Sequence, residues 1–388
     1  QILTNQLFEK ARSAYDSDTE SDPVFITQSL IIFSCHAPYY SDKDSIYWAQ
    51  LALFTAERYD FSTSSSSELR VIWWIAYIQH HLLHLAQVSM PTIRDVPPVT
   101  RHDLINHGLD EAQCDYILLM MDMCSVHNNI WKVPVTVNTA LDTDRLWFEW
   151  LNRMPMSLRY RATTVSSKNL LGLLVNLILQ TFLIINHKAN IKRMHQTGQL
   201  SVEYFPSWAI TIKSSFLISK IVGELIELNE FHYAFEILPN LIYIACLGFL
   251  DHTNNKDVRL KSLAVDHITS NLEHFDNLCW KWPVARQLKY QVRRRMELEY
   301  TPMVFTITSN PRTTFEYLQL YHCMVSRSRT SINSLIESQE TETDDFGYLA
   351  RLFEQNDAFW VPEFEQKVGK PALVDVHASI HHLQYIFL

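Results

Sequence analysis

Glycine is the scarcest structural signal in this chain, at 7 of 388 residues, against roughly 7 % in an average protein. Few positions are therefore free to take positive φ or to bring backbone close to a phosphate. Nucleotide-cradling loops and two-residue hairpins are disfavoured. Six cysteines (Cys35, Cys114, Cys124, Cys246, Cys279 and Cys323) include no C-x-x-C pair, so neither a zinc module nor a small disulfide framework is encoded, and a reducing compartment fits. Basic side chains are also short, 33 against 42 acidic for a formal charge of -9. That balance argues against this segment gripping a phosphate backbone, which needs clustered Lys and Arg. Alternating strand patterns are weak everywhere except residues 304–308. The longest apolar run, residues 170–185, carries Asn176 and Gln180 and falls short of the roughly 20 apolar residues of a bilayer span, which predicts a buried helix and no membrane partner. Gln1 follows neither an initiator Met nor a basic-apolar leader, so the chain reads as a piece of something longer.

What is present is apolar surface in quantity. Hydrophobic residues make up 47 % and charged residues 19 % of the chain, the composition of a globular protein. Apolar residues recur at helical spacing over residues 7–15, 24–36, 45–59, 69–85, 141–151, 167–193, 210–228, 239–250, 258–278 and 283–298. Pro23 and Pro283 sit where first-turn residues are expected. The segment 69–85 is apolar nearly all round and should be central. These features predict an all-α fold, a large array of antiparallel helices packed as one compact unit. Residues 1–300 would form the main domain, with the serine-rich stretch Ser62 to Ser67 as a flexible tether inside it. Residues 301–388 would be a C-terminal extension packed on the same unit, with an acidic loop at 337–345.

Several patterns suggest chemistry. His80 and His84 stand at i and i+4, one face of a helix, with His81 adjacent, the spacing of zinc-binding helices. Leu82 and Leu83 occupy the place where an H-E-x-x-H hydrolase carries its catalytic Glu, so ordinary helix histidines are the better reading, and the same holds for His377 and His381. Ser34-Cys35-His36 puts a thiol beside a base in sequence, but neighbouring helix residues point about 100° apart. Arg293-Arg294-Arg295 with Lys289 reads as a solvated helix face, since Glu297 and Glu299 follow. No catalytic, cofactor-binding or metal-binding set follows from these residues.

One resemblance spans much of the chain. Phe8-Glu9-Lys10-Ala11-Arg12, Ile26-Thr27-Gln28-Ser29-Leu30 and Asp42-Lys43-Asp44-Ser45-Ile46-Tyr47-Trp48 are similar, in order, to the first helices of the fungal-specific transcription factor domain, the helical regulatory region found downstream of a zinc binuclear cluster. Its basic-x-x-Trp-Trp-x-x-Tyr signature resembles Arg70, Trp73, Trp74 and Tyr77, and the proline-rich exit from that helix resembles Pro91, Asp95 and Pro97. Fainter echoes follow at 182–188 and 282–285. The look is closest to the cutinase-regulator-like branch. The resemblance implies a non-catalytic nuclear regulatory domain that answers a small-molecule effector or a co-regulator protein and controls transcriptional activation. Homodimerisation is implied as well, with DNA bound through a zinc cluster outside this chain. Two other functions are weighed against it: a structural scaffold domain of a centromere- or chromatin-bound relative, and a metal-dependent hydrolase using His80 and His84.

Overall fold

The computed structural model describes residues 2–36, 43–85, 96, 98–132, 137–160, 169–197, 207–231, 234, 237–254 and 258–297. Among these residues there are twelve α-helices and no strand: α1 (Ile2–Asp16), α2 (Pro23–His36), α3 (Ser45–Arg58), α4 (Ser67–Leu83), α5 (Arg101–Asn106), α6 (Glu111–Lys132), α7 (Val137–Arg153), α8 (Leu170–Thr197), α9 (Ser207–Glu227), α10 (Leu238–Leu250), α11 (Val258–Leu278) and α12 (Val284–Glu297). The fold is all-α, as the apolar spacing predicts. The expected C-terminal extension, its acidic loop, the strand-like residues 304–308, and His377 and His381 lie outside the described residues.

Helix starts follow local chemistry. Asp22 Oδ1 accepts from Val24 N at 2.8 Å beside Pro23 at the first turn of α2, and Asp44 Oδ1 accepts from Tyr47 N to cap α3. These carboxylates satisfy amides that have no partner within the helix. Two elements escape the sequence reading, α5 and the long α6. Both begin at reciprocal capping boxes, Thr100 with Asp103 and Asp110 with Gln113, a pattern visible in the sequence. The serine-rich stretch also departs from expectation. Phe61–Thr63 forms a 3-10 turn that buries Phe61, and the Arg70 guanidinium donates to the carbonyls of Ser64 and Ser65 at 2.7 and 3.0 Å. The connection is fastened to the helix it precedes.

Two apolar clusters hold the array. A small one joins α1 to α4 through Phe8, Leu30, Phe33, Trp48, Ala52 and Ala76, with Phe33 and Trp48 edge-to-face at 5.0 Å. The larger runs continuously from α3 to α12. Every residue of α10 is buried, and it packs on α8, α9, α11 and α12. Helix α8 pairs extensively with α9. Its segment Leu170–Ala189 is long and apolar enough to cross a membrane, and 89 % of that window is buried inside the array. Asn176 is absorbed by donating to the carbonyls of Leu158 and Gly172, at 2.9 and 2.7 Å. A Cβ at Gly172 would meet the Leu158 carbonyl oxygen at 3.0 Å, so glycine permits this approach.

Candidate functional site

The signature residues of α4 are core anchors. Trp73, Trp74 and Tyr77 are all buried, Trp73 stacks on Tyr77 at 5.2 Å and meets Trp74 edge-on at 5.0 Å. Each aromatic removes roughly 150–250 Å² from water. Arg70 fastens the preceding turn, as described above. Pro91, Asp95 and Pro97 lie outside the described residues.

The aromatic ladder leads into a polar seam where α4, α6, α7 and α8 meet. His81 Nε2 lies 2.9 Å from Nδ1 of His127, both rings buried. His127 also lies against Phe182 at 4.2 Å, and Phe182 stacks on Trp147 at 5.8 Å. The Trp150 indole donates to the Leu119 carbonyl at 3.3 Å. Burial disfavours the charged imidazolium. It lowers His80 and His81 to about 3, with neighbouring histidines adding to the effect, and it holds His127 well below the ordinary range. His84 is lowered by burial too, against its contact with the His80 carbonyl.

One turn before Trp147 on α7, Asp144 Oδ1 lies 3.3 Å from Nε2 of His187 on α8, and His187 Nδ1 lies 3.1 Å from the Ser207 hydroxyl at the start of α9. All three residues are buried. Burial pushes the Asp144 carboxyl up, while His187 pulls it the other way. The order acid, imidazole, hydroxyl is that of a nucleophilic triad, but Ser207 is 1 % exposed. A nucleophile must meet its substrate, so in this conformation the three residues tie α7, α8 and α9 together.

His80 and His84 do share a face, as their spacing predicts. Their rings stack at 3.9 Å, and His84 Nδ1 turns to the His80 carbonyl at 2.8 Å. Among the described residues no group of three or more His, Cys, Asp or Glu side chains converges to hold a metal ion. Ser34 is buried and donates to the Ile31 carbonyl, turned into the helix and away from thiol chemistry. Arg293 and Arg294 are exposed, and Lys289 is paired with Asp276.

Several polar atoms of the seam are buried with no hydrogen-bond partner among the described residues: the indole nitrogens of Trp73, Trp74 and Trp147, Nδ1 of His80 and of His81, and the Tyr116 hydroxyl. Such atoms each cost about 1–3 kcal/mol when left unsatisfied, and most in folded proteins find protein, water or ligand. His127, Asp144 and Ser207 carry no sequence signal, because their partners lie 20 to 46 residues away. His187 enters only through the weak echo at 182–188.

Against known proteins, the chain is similar to Cutinase transcription factor 1 alpha of Fusarium vanettenii, 18 % identical over 313 residues. The alignment covers 72 % of this chain and 34 % of that protein, so the chain spans about a third of the length of the curated relative it matches. No family model matches the chain. No solved structure matches it either. The likeness is to a fungal transcription factor, and a regulatory role is consistent with it.

Proposed function

We propose that this chain is the non-catalytic regulatory domain of a nuclear fungal transcription factor. The observation that carries the reading is the long, distant likeness to the cutinase transcription factor, supported by an all-helical fold in which the Trp-Trp helix is central. DNA contact belongs to a zinc cluster outside the chain, in keeping with the charge of -9, and pairing of two copies would set the spacing of the half-sites read. The domain receives a metabolite or a partner protein and passes the signal to an activation segment. The seam of α4, α6, α7 and α8 suits that task, because an arrangement that gives its orphan indole and imidazole nitrogens partners is favoured over one that does not.

The test is the complete reading frame and its product. A six-cysteine cluster upstream of Gln1, and zinc-dependent, sequence-specific DNA binding by the full-length protein, are expected. A full-length protein without that cluster would remove the reading.

A further inference from the structure

Helix α1 is seated on two rings. Its Phe8 and Tyr15 stand at i and i+7, on one side of the helix two turns apart, and both meet the same pair of aromatics. Phe8 lies 5.4 Å from Phe33 of α2 and 6.4 Å from Trp48 of α3. Tyr15 lies 6.3 and 5.7 Å from the same two rings. All four contacts are edge-to-face, a favoured aromatic geometry. Beyond Tyr15, the Asp16 carboxylate accepts from Lys43 at 3.0 Å and pairs with Arg12 at 3.5 Å. The Lys43 ammonium also lies 5.2 Å from the Trp48 ring. The seat thus reads two aromatic anchors and one carboxylate on a single helix.

Among the described side chains of α1, residues 6–16, Phe8 alone is buried, with Arg12 and Tyr15 half-buried and the rest exposed. The seat is supported without them. Phe8, Phe33 and Trp48 belong to the small apolar cluster, which is separate from the large core. Helices α2 and α3 reach that core on their own, Leu53 and Ala56 within it and Val24 and Ile31 packed against it, and both pack on α4. Docking α1 orders a helix of 15 residues against the burial of one ring and part of another, a close balance. Such segments open locally while the body stays folded. We propose that Phe33 and Trp48 form a helix-docking site, that α1 is its resident and exchangeable occupant, and that a competing helix must carry aromatic residues at i and i+7 followed by a carboxylate. Helix-in-groove recognition uses anchors at this spacing, and the carboxylate against Lys43 sets direction.

Backbone hydrogen exchange on the full chain reads the opening. Amides of α1 should exchange at least about a hundredfold faster than those of α4 and α10, and Phe8→Ala should speed α1 further, severalfold, while α4 and α10 stay unchanged. Exchange of the occupant is read with a synthetic peptide of residues 2–16, added to the full chain carrying Phe8→Ala/Tyr15→Ala, whose own α1 is loosened and whose seat is intact. The peptide should slow exchange in α2 and α3, and should bind this variant at least about tenfold more tightly than the parent, where α1 competes for the seat. A peptide carrying the same two alanines, or Asp16→Lys, should bind at least about tenfold more weakly than the unaltered one. Amides of α1 as protected as those of α4, or a Phe8→Ala change that speeds α10 as much as α1, overturn the inference. So does a double variant that fails to fold, since α1 would then belong to one cooperative unit with the body. Absent binding, or equal binding of the three peptides, overturns it as well.

Discussion

His81 and His127 share a single proton between facing ring nitrogens 2.9 Å apart, inside a frame of Tyr77, Phe182 and Trp147. One imidazole must donate where the other accepts, and burial, which lowers both rings, keeps them neutral in complementary tautomers. A proton added to the accepting ring would set two N–H groups against each other, and one added to the donating ring would place a charge in a buried site. The seam that joins α4 to α6 and α8 therefore depends on the histidines staying uncharged.

Acid should weaken the fold accordingly. His80 and His81 titrate at about 3 and His252 at about 4 in the folded chain, all lowered first by burial, whereas an unfolded histidine titrates near 6.5. The unfolded chain thus takes up protons first as pH falls below about 6.5. Stability that is fully present above that value declines toward pH 3–4, by up to about 1.4 kcal/mol per pH unit for each such histidine. Urea midpoints measured from pH 7.5 to 4.5 should fall throughout the lower part of that range, and less steeply in His81→Leu/His127→Leu. A midpoint that rises as pH drops would contradict the account.

Trp73 should be worth far more than its neighbours on the exposed side of α4. Trp73→Ala removes a fully packed indole and is expected to cost about 3–5 kcal/mol. Glu68→Ala, at an exposed first-turn position, should stay within about 1 kcal/mol. Denaturant unfolding of both variants gives the comparison directly, and similar costs would mean that the Trp-Trp helix is not central.

Asp144 and His187 should behave as a unit. Removing one member of a buried pair strands the other, a loss of about 3–5 kcal/mol. Asp144→Ala and His187→Ala should each be strongly destabilising, and the double variant should cost clearly less than the two added together. Additive losses in the double-mutant cycle would show that the 3.3 Å contact carries no coupling.

Gly248 lets α10 pack directly against α9. A Cβ there would run into the Ser215 hydroxyl, with Thr211 also in contact, and overpacking of this kind costs about 1–3 kcal/mol. Gly248→Ala should lower the melting temperature, and Ser215→Ala in the same chain should recover part of the loss. An alanine tolerated without the second change would mean the two helices sit further apart.

The helix content was legible because most elements carry an unbroken apolar period. Residues 45–59 and 258–278 were bounded to within a residue by Asp44, Tyr59 and the turn at Asp251 to Asn254. Helix α6 is less legible because apolar residues occupy most positions of residues 116–124 and only Asp115, Asp122 and Ser125 mark its half-buried face, leaving the Asp110 and Gln113 box as its clearest sign. The contacts of the serine-rich connection are not legible for a different reason. Its order comes from Arg70, a residue on the following helix, and composition alone does not register that contact. The Trp73 and Trp74 anchors were readable from spacing and resemblance. His127, Asp144 and Ser207 were not, since each matters only through a partner on another helix, and no local period encodes that pairing.

In the proposed function, this domain makes transcription depend on a signal. Placed between a heterologous DNA-binding domain and a constitutive activation segment in a fungal host, residues 1–388 should make reporter output vary severalfold with nutrient supply, and Trp73→Ala should abolish that dependence. Output that stays constant across every nutrient tested, from a fusion shown to be folded and nuclear, would contradict the account and favour a scaffold.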